Sequence, residues 1–398
     1  MSPKKLINRR NFIKATAAGA SGFFFLASNA KGEGKKESSR KFIYRILGKT
    51  GIKLPVISMG VTNTNNPNLV RAALDSGIVM LDTAQIYQRG QNEGMIGKVL
   101  RGRPRGSYVL ATKERLPSNP MTGLYTEEAT EEAFLKKVDL SLENLGLEYV
   151  DILYHHDVAQ RERALFEPIL KAMEKAKKDG KARFLGISTH RNEPEVIQAA
   201  IDSKIYEVIL TAYNFKQKHY AEVRGAIAKA AKTGIGVIAM KVMGGTLSQD
   251  PLIPFNAGAA LKWVLQDPNV HTTVPGFTTF EEMNVDLSVM EDLSLTDSEK
   301  EYLRKEASIA GLYCQGCGQC VKRCIAKLPI PDLMRAYMYT YGYRKPSIAQ
   351  ELVLSLGLPR HVCEDCGQCP VKCSIGFNVS SKIRDVVRLR DVPQEFIA

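Results

Sequence analysis

Short apolar runs alternate with amphipathic segments from Lys41 to about Leu295, and this alternation is the dominant pattern of the chain. The apolar runs have the length of buried strands, and the amphipathic segments have the apolar repeat of helices. Eight strands are predicted, at Val56–Gly60, Val79–Asp82, Val109–Lys113, Asp151–His156, Phe184–Ser188, Val208–Ala212, Gly236–Lys241 and Val270–Pro275. Helices are predicted among them, at Asn68–Asp75, Thr126–Leu145, Ala164–Asp179, Glu195–Asp202, Ala221–Thr233, Phe255–Leu265 and Phe280–Met290.

Eight strands alternating with helices over about 255 residues are typical of a (β/α)8 TIM barrel. A doubly wound open sheet is the alternative, and it is disfavoured because no G-x-G-x-x-G follows the first strand. In a barrel, the chemistry lies at the carboxyl ends of the strands. Asp82, Lys113, His156 and Ser188 end four successive predicted strands, and Tyr87 follows Asp82 in the next loop.

The eight cysteines form two copies of the spacing C-x2-C-x2-C-x3-C. The first copy is Cys314, Cys317, Cys320 and Cys324, and the second is Cys363, Cys366, Cys369 and Cys373. This spacing is typical of [4Fe-4S] clusters in which the fourth cysteine binds the other cluster. Zinc sites and disulfides are the alternatives, but zinc ligands usually come in separated pairs. Two identical quartets leave no cysteine over, so we predict two [4Fe-4S] clusters with crossed ligation.

The segment between the two quartets reads as helices, at Ile330–Thr340 and Ser347–Leu356. It resembles the helical two-cluster ferredoxin modules of respiratory enzymes, which hand electrons to a partner. We therefore predict that residues 296–398 form a mostly helical, ferredoxin-like domain, with a redox partner protein.

The first 30 residues resemble a twin-arginine export signal. Asn8-Arg9-Arg10-Asn11-Phe12-Ile13-Lys14 precedes a weakly apolar stretch, and Ala30 offers a cleavage site. The stretch is short for a membrane span, which is the alternative of a retained anchor. The twin-arginine machinery carries folded proteins, which suits a cofactor assembled before export. A periplasmic or exported location is predicted, with residues 31–40 as a polar linker.

Composition fits an enzyme of 398 residues with 44% hydrophobic and 24% charged residues. The net charge is +13, and about +8 remains without the five cations of the export segment. The remaining cations alternate with acids instead of forming a long basic run with aromatics. Binding of nucleic acid is therefore not expected.

The predicted barrel resembles the aldo/keto reductase family over residues 41–295. Asp82-Thr83-Ala84-Gln85-Ile86-Tyr87, with Asn92-Glu93 and Gly97 beyond it, matches the family signature. Tyr44–Gly51 resembles the N-terminal hairpin of many members, and Ala111-Thr112-Lys113 and Asp151–His156 match two further strand segments. A branch of the family carries two-cluster extensions, and Met240–Gly245 resembles the seventh-strand segment of that branch.

The resemblance implies hydride transfer between a nicotinamide and the carbonyl carbon of a small molecule. Tyr87 would give the alkoxide its proton, Lys113 would favour the tyrosinate by opposite charge, and Asp82 would hold the ammonium. His156 would orient the carbonyl. His155 points to the other side of its strand, because side chains alternate.

The resemblance also implies that a dinucleotide, NAD or NADP, contacts five residues at the strand ends. These are Gly60, Ser188, Thr189, Met240 and Gly276. Several departures weaken this site, since Val274–Glu282 contains no cation for the 2′-phosphate of NADP. Preference for NADP is therefore not expected. The leading hypothesis is an exported carbonyl or alcohol oxidoreductase, and the alternative is an electron-transfer subunit with the barrel as a docking scaffold.

Overall fold

A computed structural model describes residues 41–119, 122–244, 255–308, 314, 316–359, 361–364, 366 and 369–397. The export segment and the linker lie outside the described residues, so those two predictions stay as they are. Within the described residues, no helix has both the length and the apolar character that a membrane crossing requires.

An antiparallel hairpin precedes a sheet of eight parallel strands, in which each strand pairs with the next one along the chain. The hairpin strands are β1 (Tyr44–Ile46) and β2 (Lys53–Pro55). The sheet strands are β3 (Met59–Gly60), β4 (Met80–Asp82), β5 (Val109–Glu114), β6 (Val150–His155), β7 (Ala182–Thr189), β8 (Val208–Ala212), β9 (Gly236–Met240) and β10 (Thr272–Thr273). All eight predicted barrel strands are therefore present, with shorter first and last members.

The first and last strands join to close the sheet into a barrel. Ile57 forms a parallel bridge with Thr273, and the amide of Gly60 donates to the carbonyl of Pro275 at 2.9 Å. A Cβ atom at Gly60 would lie 2.8 Å from the carbonyl oxygen of Val274, so glycine lets these backbones approach. The predicted (β/α)8 barrel is confirmed, and the open-sheet alternative is excluded.

Helices follow the strands and cover the barrel. They are α1 (Pro67–Asp75), α2 (Gln91–Leu100), α3 (Glu131–Leu145), α4 (Arg161–Ala164), α5 (Glu167–Lys178), α6 (Glu193–Ser203), α7 (Tyr220–Lys232), α8 (Ala257–Leu265) and α9 (Phe280–Val289). Two predicted boundaries were wrong. The helix expected from Thr126 begins at Glu131, because the Thr130 hydroxyl caps it by accepting from the Ala133 amide at 3.2 Å. The helix expected over Ala164–Asp179 begins at Glu167, as α5, with Pro168 in its first turn.

Apolar side chains form an inner and an outer layer on the barrel strands. Met80, Tyr154, Leu210 and Ile238 fill the interior, which Leu54 of the hairpin closes at the end opposite the site. The outer layer packs between the strands and the helices. The strands are thus buried on both faces, which fixes where their carboxyl ends point.

In the described residues after the barrel there are four α-helices: α10 (Asp297–Ser308), α11 (Ile330–Tyr341), α12 (Pro346–Ser355) and α13 (Val379–Val387). Leu303 of α10 packs with Phe215 and Ala259 of the barrel. The other three share a core that includes Leu333, Val353 and Ile383. Both helices predicted between the cysteine quartets are present as α11 and α12. The ferredoxin-like character of this segment stays a prediction, as does the boundary at residue 296.

Candidate active site

Asp82, Lys113 and Tyr87 meet at the carboxyl end of the barrel. The Lys113 ammonium donates to Asp82 Oδ2 at 2.6 Å, to the Thr83 carbonyl at 2.6 Å and to the Tyr87 hydroxyl at 3.3 Å. Lys113 is 1% exposed, so these contacts are shielded from water. One cation therefore joins the carboxylate of one strand to the phenol of the following loop.

His156 completes the group predicted from the sequence. Its ring lies edge-on to that of Tyr87, with centroids 6.1 Å apart. His155 points away, and its Nδ1 contacts the Tyr206 hydroxyl at 2.9 Å among the surrounding helices. The alternation of side chains along a strand thus distinguishes the two histidines. The sequence predicts that His156 ends its strand. In the structure β6 ends at His155, and His156 is the next residue.

Burial controls the charge of these groups. It acts to lower the pKa of Lys113, but Asp82 and Tyr87 outweigh it, so the pKa of that ammonium lies above its ordinary value. Burial lowers the pKa of His156 well below that of free imidazole, and Lys113 adds to the effect. At neutral pH the site therefore contains a charged lysine and a neutral histidine. A neutral imidazole can hydrogen-bond a carbonyl oxygen without competing for the proton of the phenol.

The five residues predicted to contact a dinucleotide lie at the ends of β3, β7 and β9 and after β10. Ser188 Oγ accepts from the Asp157 amide at 2.9 Å, and the Thr189 hydroxyl donates to the Arg191 carbonyl at 2.8 Å. Met240 is 8% exposed at the end of β9. Gly60 and Gly276 lie against each other at the barrel seam, as the close approach of their backbones shows. The structure thus brings these five residues to the carboxyl end of the barrel, and their contact with a dinucleotide stays a prediction.

Helix α11 lies over the mouth of the barrel, a feature that sequence reasoning missed. Arg335 donates to both oxygens of Asp157, at 3.1 and 3.4 Å. Arg191, after β7, pairs with Asp332 of the same helix at 2.7 Å. Burial opposes ionisation of Asp157, but Arg335 and Arg191 outweigh it and hold the pKa of Asp157 well below its usual range. Buried, hydrogen-bonded ion pairs thus connect the C-terminal segment to two barrel loops.

His190 is a second residue at the mouth that was not predicted. It follows Ser188 by two positions, so the alternation rule already indicated that both face the same side. It lies within electrostatic range of Asp157, and burial lowers the pKa of its imidazole well below the ordinary value. No sequence signal could have identified the contact of Arg335 with Asp157, because the two residues lie 178 positions apart in the chain.

The cysteines form two groups that mix the two quartets. Cys314, Cys317, Cys320 and Cys373 line one small cavity. Cys363 lies within electrostatic range of Cys324, Cys366 and Cys369, and burial raises its pKa to about 11. Among the described residues, no three His, Cys, Asp or Glu side chains come close enough to share one metal ion. In a cubane each thiolate binds a different iron, so this finding does not bear on that arrangement.

The first cysteine group lies next to the barrel mouth. A Cβ atom on Gly316, which has a left-handed backbone with φ of 73°, would lie 2.8 Å from the carbonyl oxygen of His190. Ser374 Oγ lies 3.3 Å from Cys317 Sγ, and its carbonyl accepts from Lys218, after β8. The segments that carry these cysteines are therefore in contact with barrel loops.

Comparison with known proteins agrees with this geometry. The profile of the Aldo/keto reductase family matches residues 58–254. The chain is 30% identical to the L-glyceraldehyde 3-phosphate reductase of Escherichia coli K12 over 57% of this chain and 67% of that protein. It is 35% identical to the L-galactose dehydrogenase of Arabidopsis thaliana over 37% of this chain and 49% of that protein. It thus spans about half to two thirds of the length of these relatives.

The fold matches solved structures of the same family. The aldo-keto reductase AKR11C1 from Bacillus halodurans, in its holo form, aligns with 69% of this chain and 99% of its own. The TM-score is 0.56 at 22% sequence identity. At that identity the likeness concerns the fold alone.

Proposed function

This chain belongs to the aldo/keto reductase family, and from that premise we propose that it interconverts a carbonyl and an alcohol with Tyr87 as proton donor. That it is an oxidoreductase follows from the family. The residue roles rest on one observation, the Lys113 ammonium that contacts both Asp82 and the Tyr87 hydroxyl.

The reaction requires that the carbonyl carbon receive a hydride and the oxygen receive a proton. Tyr87 donates its phenolic proton to the oxygen, and Lys113 stabilises the tyrosinate that remains. Asp82 keeps the ammonium in place, and the neutral His156 hydrogen-bonds the carbonyl oxygen. In the reverse direction the tyrosinate accepts the proton of the alcohol.

Members of this family typically use NAD(P)H, which supplies the hydride. The segment 274–282 offers no cation to a 2′-phosphate, so NAD is the better candidate of the two. Gly60, Ser188, Thr189, Met240 and Gly276 lie at the carboxyl end of the barrel, where the family resemblance implies that it binds.

We also propose that the cysteines hold two [4Fe-4S] clusters. The cavity lined by Cys314, Cys317, Cys320 and Cys373 supports one, and the neighbours of Cys363 support the other. Both groups combine three cysteines of one quartet with the fourth of the other, as the crossed pattern requires. Such clusters would serve one-electron transfer with a redox partner protein.

Single substitutions test the crossed pattern. Cys373→Ser should alter the same EPR signal as Cys317→Ser, because both remove a ligand of one cluster. Cys369→Ser, four positions away, should alter the other signal. The measurement is EPR with iron analysis on anaerobically prepared protein, where about eight irons per chain are expected. Zinc in place of iron, or Cys373 and Cys369 acting on one signal, would contradict this proposal.

Export through the twin-arginine machinery is proposed on Arg9-Arg10 and on the cofactor that must be inserted before transport. Arg9→Lys with Arg10→Lys should leave the protein in the cytoplasm, as cell fractionation would measure. Lys4→Arg with Lys5→Arg keeps the same charge outside the motif and should leave export normal. Export of the first double variant at the normal level is the result that would refute the assignment. Fractionation would also show whether the exported chain is periplasmic or anchored.

The electron-transfer subunit is the second candidate, and the contact between Gly316 and His190 favours it. In that case the barrel would be a scaffold for docking. The two candidates differ in whether Tyr87 matters for turnover.

A further inference from the structure

Lys241 lies at the barrel mouth, directly after β9, in a conformation that lysine rarely adopts. Its backbone is left-handed, with φ of 57°, and Asp157 after β6 has the same kind of backbone, with φ of 56°. Side chains with a Cβ atom are disfavoured there, and such residues cluster at functional sites. Both backbones place a charged side chain beneath α11, where Lys241 and Asp157 lie within electrostatic range of each other.

Two aromatic rings from the C-terminal segment lie near the Lys241 ammonium. Its Nζ atom is 6.0 Å from the ring centroid of Tyr339 and 5.8 Å from that of Tyr343. Tyr339 is also within electrostatic range of the Tyr87 hydroxyl. A single side chain therefore neighbours both the proposed proton donor and the ammonium.

Among the described residues, the carboxylates at the mouth are paired with cations other than Lys241. The Asp157 and Asp332 carboxylates are engaged by Arg335 and Arg191, and no ion pair of Lys241 occurs within the described ranges. Arg115 lies 4.0 Å from Asp157 and adds a further cation. The cations therefore outnumber the acids. Desolvation and Arg335 lower the pKa of Lys241 to about 8, and Asp157 opposes them.

A partly buried cation that pairs with no carboxylate of the described residues is costly, and a bound anion would offset that cost. We propose that Lys241 binds a carboxylate of the substrate, carried on the same molecule as the carbonyl that Tyr87 protonates. This deepens the proposed function and rests on it, since it names the substrate class as small oxo acids. His156 and His190 each have an Nδ1 atom without a partner in the described part of the chain, and they can hydrogen-bond the uncharged part of such a molecule.

Isothermal titration calorimetry on intact, anaerobically prepared protein tests the inference without an electron donor. The probes are 4-oxobutanoate and butanal, two four-carbon aldehydes that differ in a terminal carboxylate. A charge-assisted hydrogen bond should make the acid bind roughly ten- to a hundredfold more tightly. Lys241→Met should remove that preference by weakening 4-oxobutanoate alone. Lys53→Met is the matched control, because Lys53 also lies over a tyrosine ring, in the hairpin at the other end of the barrel.

Equal affinity of the two probes for the wild-type protein would overturn the inference, as would failure to bind the acid. A preference that survives in Lys241→Met would do the same. The Tyr87→Phe variant separates this result from the proposed function, because it should keep the preference while losing turnover. If it keeps both, the carboxylate site stands and the role of Tyr87 falls.

Discussion

Tyr87→Phe is expected to lower the turnover of the carbonyl substrate by roughly 10²–10⁴, the usual contribution of a general acid. The substitution removes one oxygen, the atom that Lys113 contacts at 3.3 Å. Without it the alkoxide must take its proton from water or from the neutral His156, neither of which Lys113 activates. Steady-state kinetics should show the loss in kcat, with little change in KM, because a phenyl ring occupies the same space.

The control for this variant is Tyr149→Phe. Tyr149 precedes β6 and therefore lies at the opposite end of the barrel, beside Arg105. It should retain full turnover, and both variants should keep the EPR signals of wild-type protein. Full activity of Tyr87→Phe would make the barrel a scaffold and would favour the electron-transfer subunit.

Of the substitutions proposed for this protein, Lys113→Met is expected to lower the free energy of unfolding the most. The Asp82 carboxylate and the Thr83 carbonyl both lose their donor, although Asp82 stays buried at 4% exposure. Removing one partner of a buried ion pair typically costs about 3–5 kcal/mol. Urea denaturation followed by circular dichroism should show that loss, and turnover should fall at least as far as in Tyr87→Phe.

The double variant Lys113→Met with Asp82→Asn separates charge from packing. It removes both charges, so it should regain most of the stability that the single variant loses, while it stays inactive. A single variant as stable as wild type would mean that Asp82 is uncharged in the folded protein. Burial raises the pKa of Asp82, whereas Lys113 lowers it. Comparing the stability of the single and the double variant is therefore informative about the charge of Asp82.

The barrel and the acid–base group could be predicted from the sequence because both depend on local regularities. Strands buried on both faces read as continuous apolar runs, and their alternation with helices permits few folds. Parallel strands in a closed barrel bring their carboxyl ends to one rim, so polar residues that follow successive strands must meet there. The alternation of side chains along a strand also predicted that His156, and not His155, faces the site.

Helix boundaries were less predictable, since they depend on single capping contacts. Thr126 and Thr130 are chemically identical, and only the observed hydrogen bond to Ala133 shows which one begins α3. The dinucleotide contacts stay a prediction. The hydroxyls of Ser188 and Thr189 lie at the end of β7 as expected, and each forms a hydrogen bond with a neighbouring backbone atom.

The sequence by itself determined the barrel, the meeting of Tyr87, Lys113, Asp82 and His156, and the two cysteine quartets. Only the tertiary structure decided what covers the barrel mouth. Arg335 and Tyr339 reach it from α11, which follows the barrel in the chain. Their contacts with the barrel are set by packing between segments far apart in the sequence. No periodicity encodes such contacts, because hydrophobic patterning specifies which face of α11 is buried in its own core and leaves open what its polar face meets.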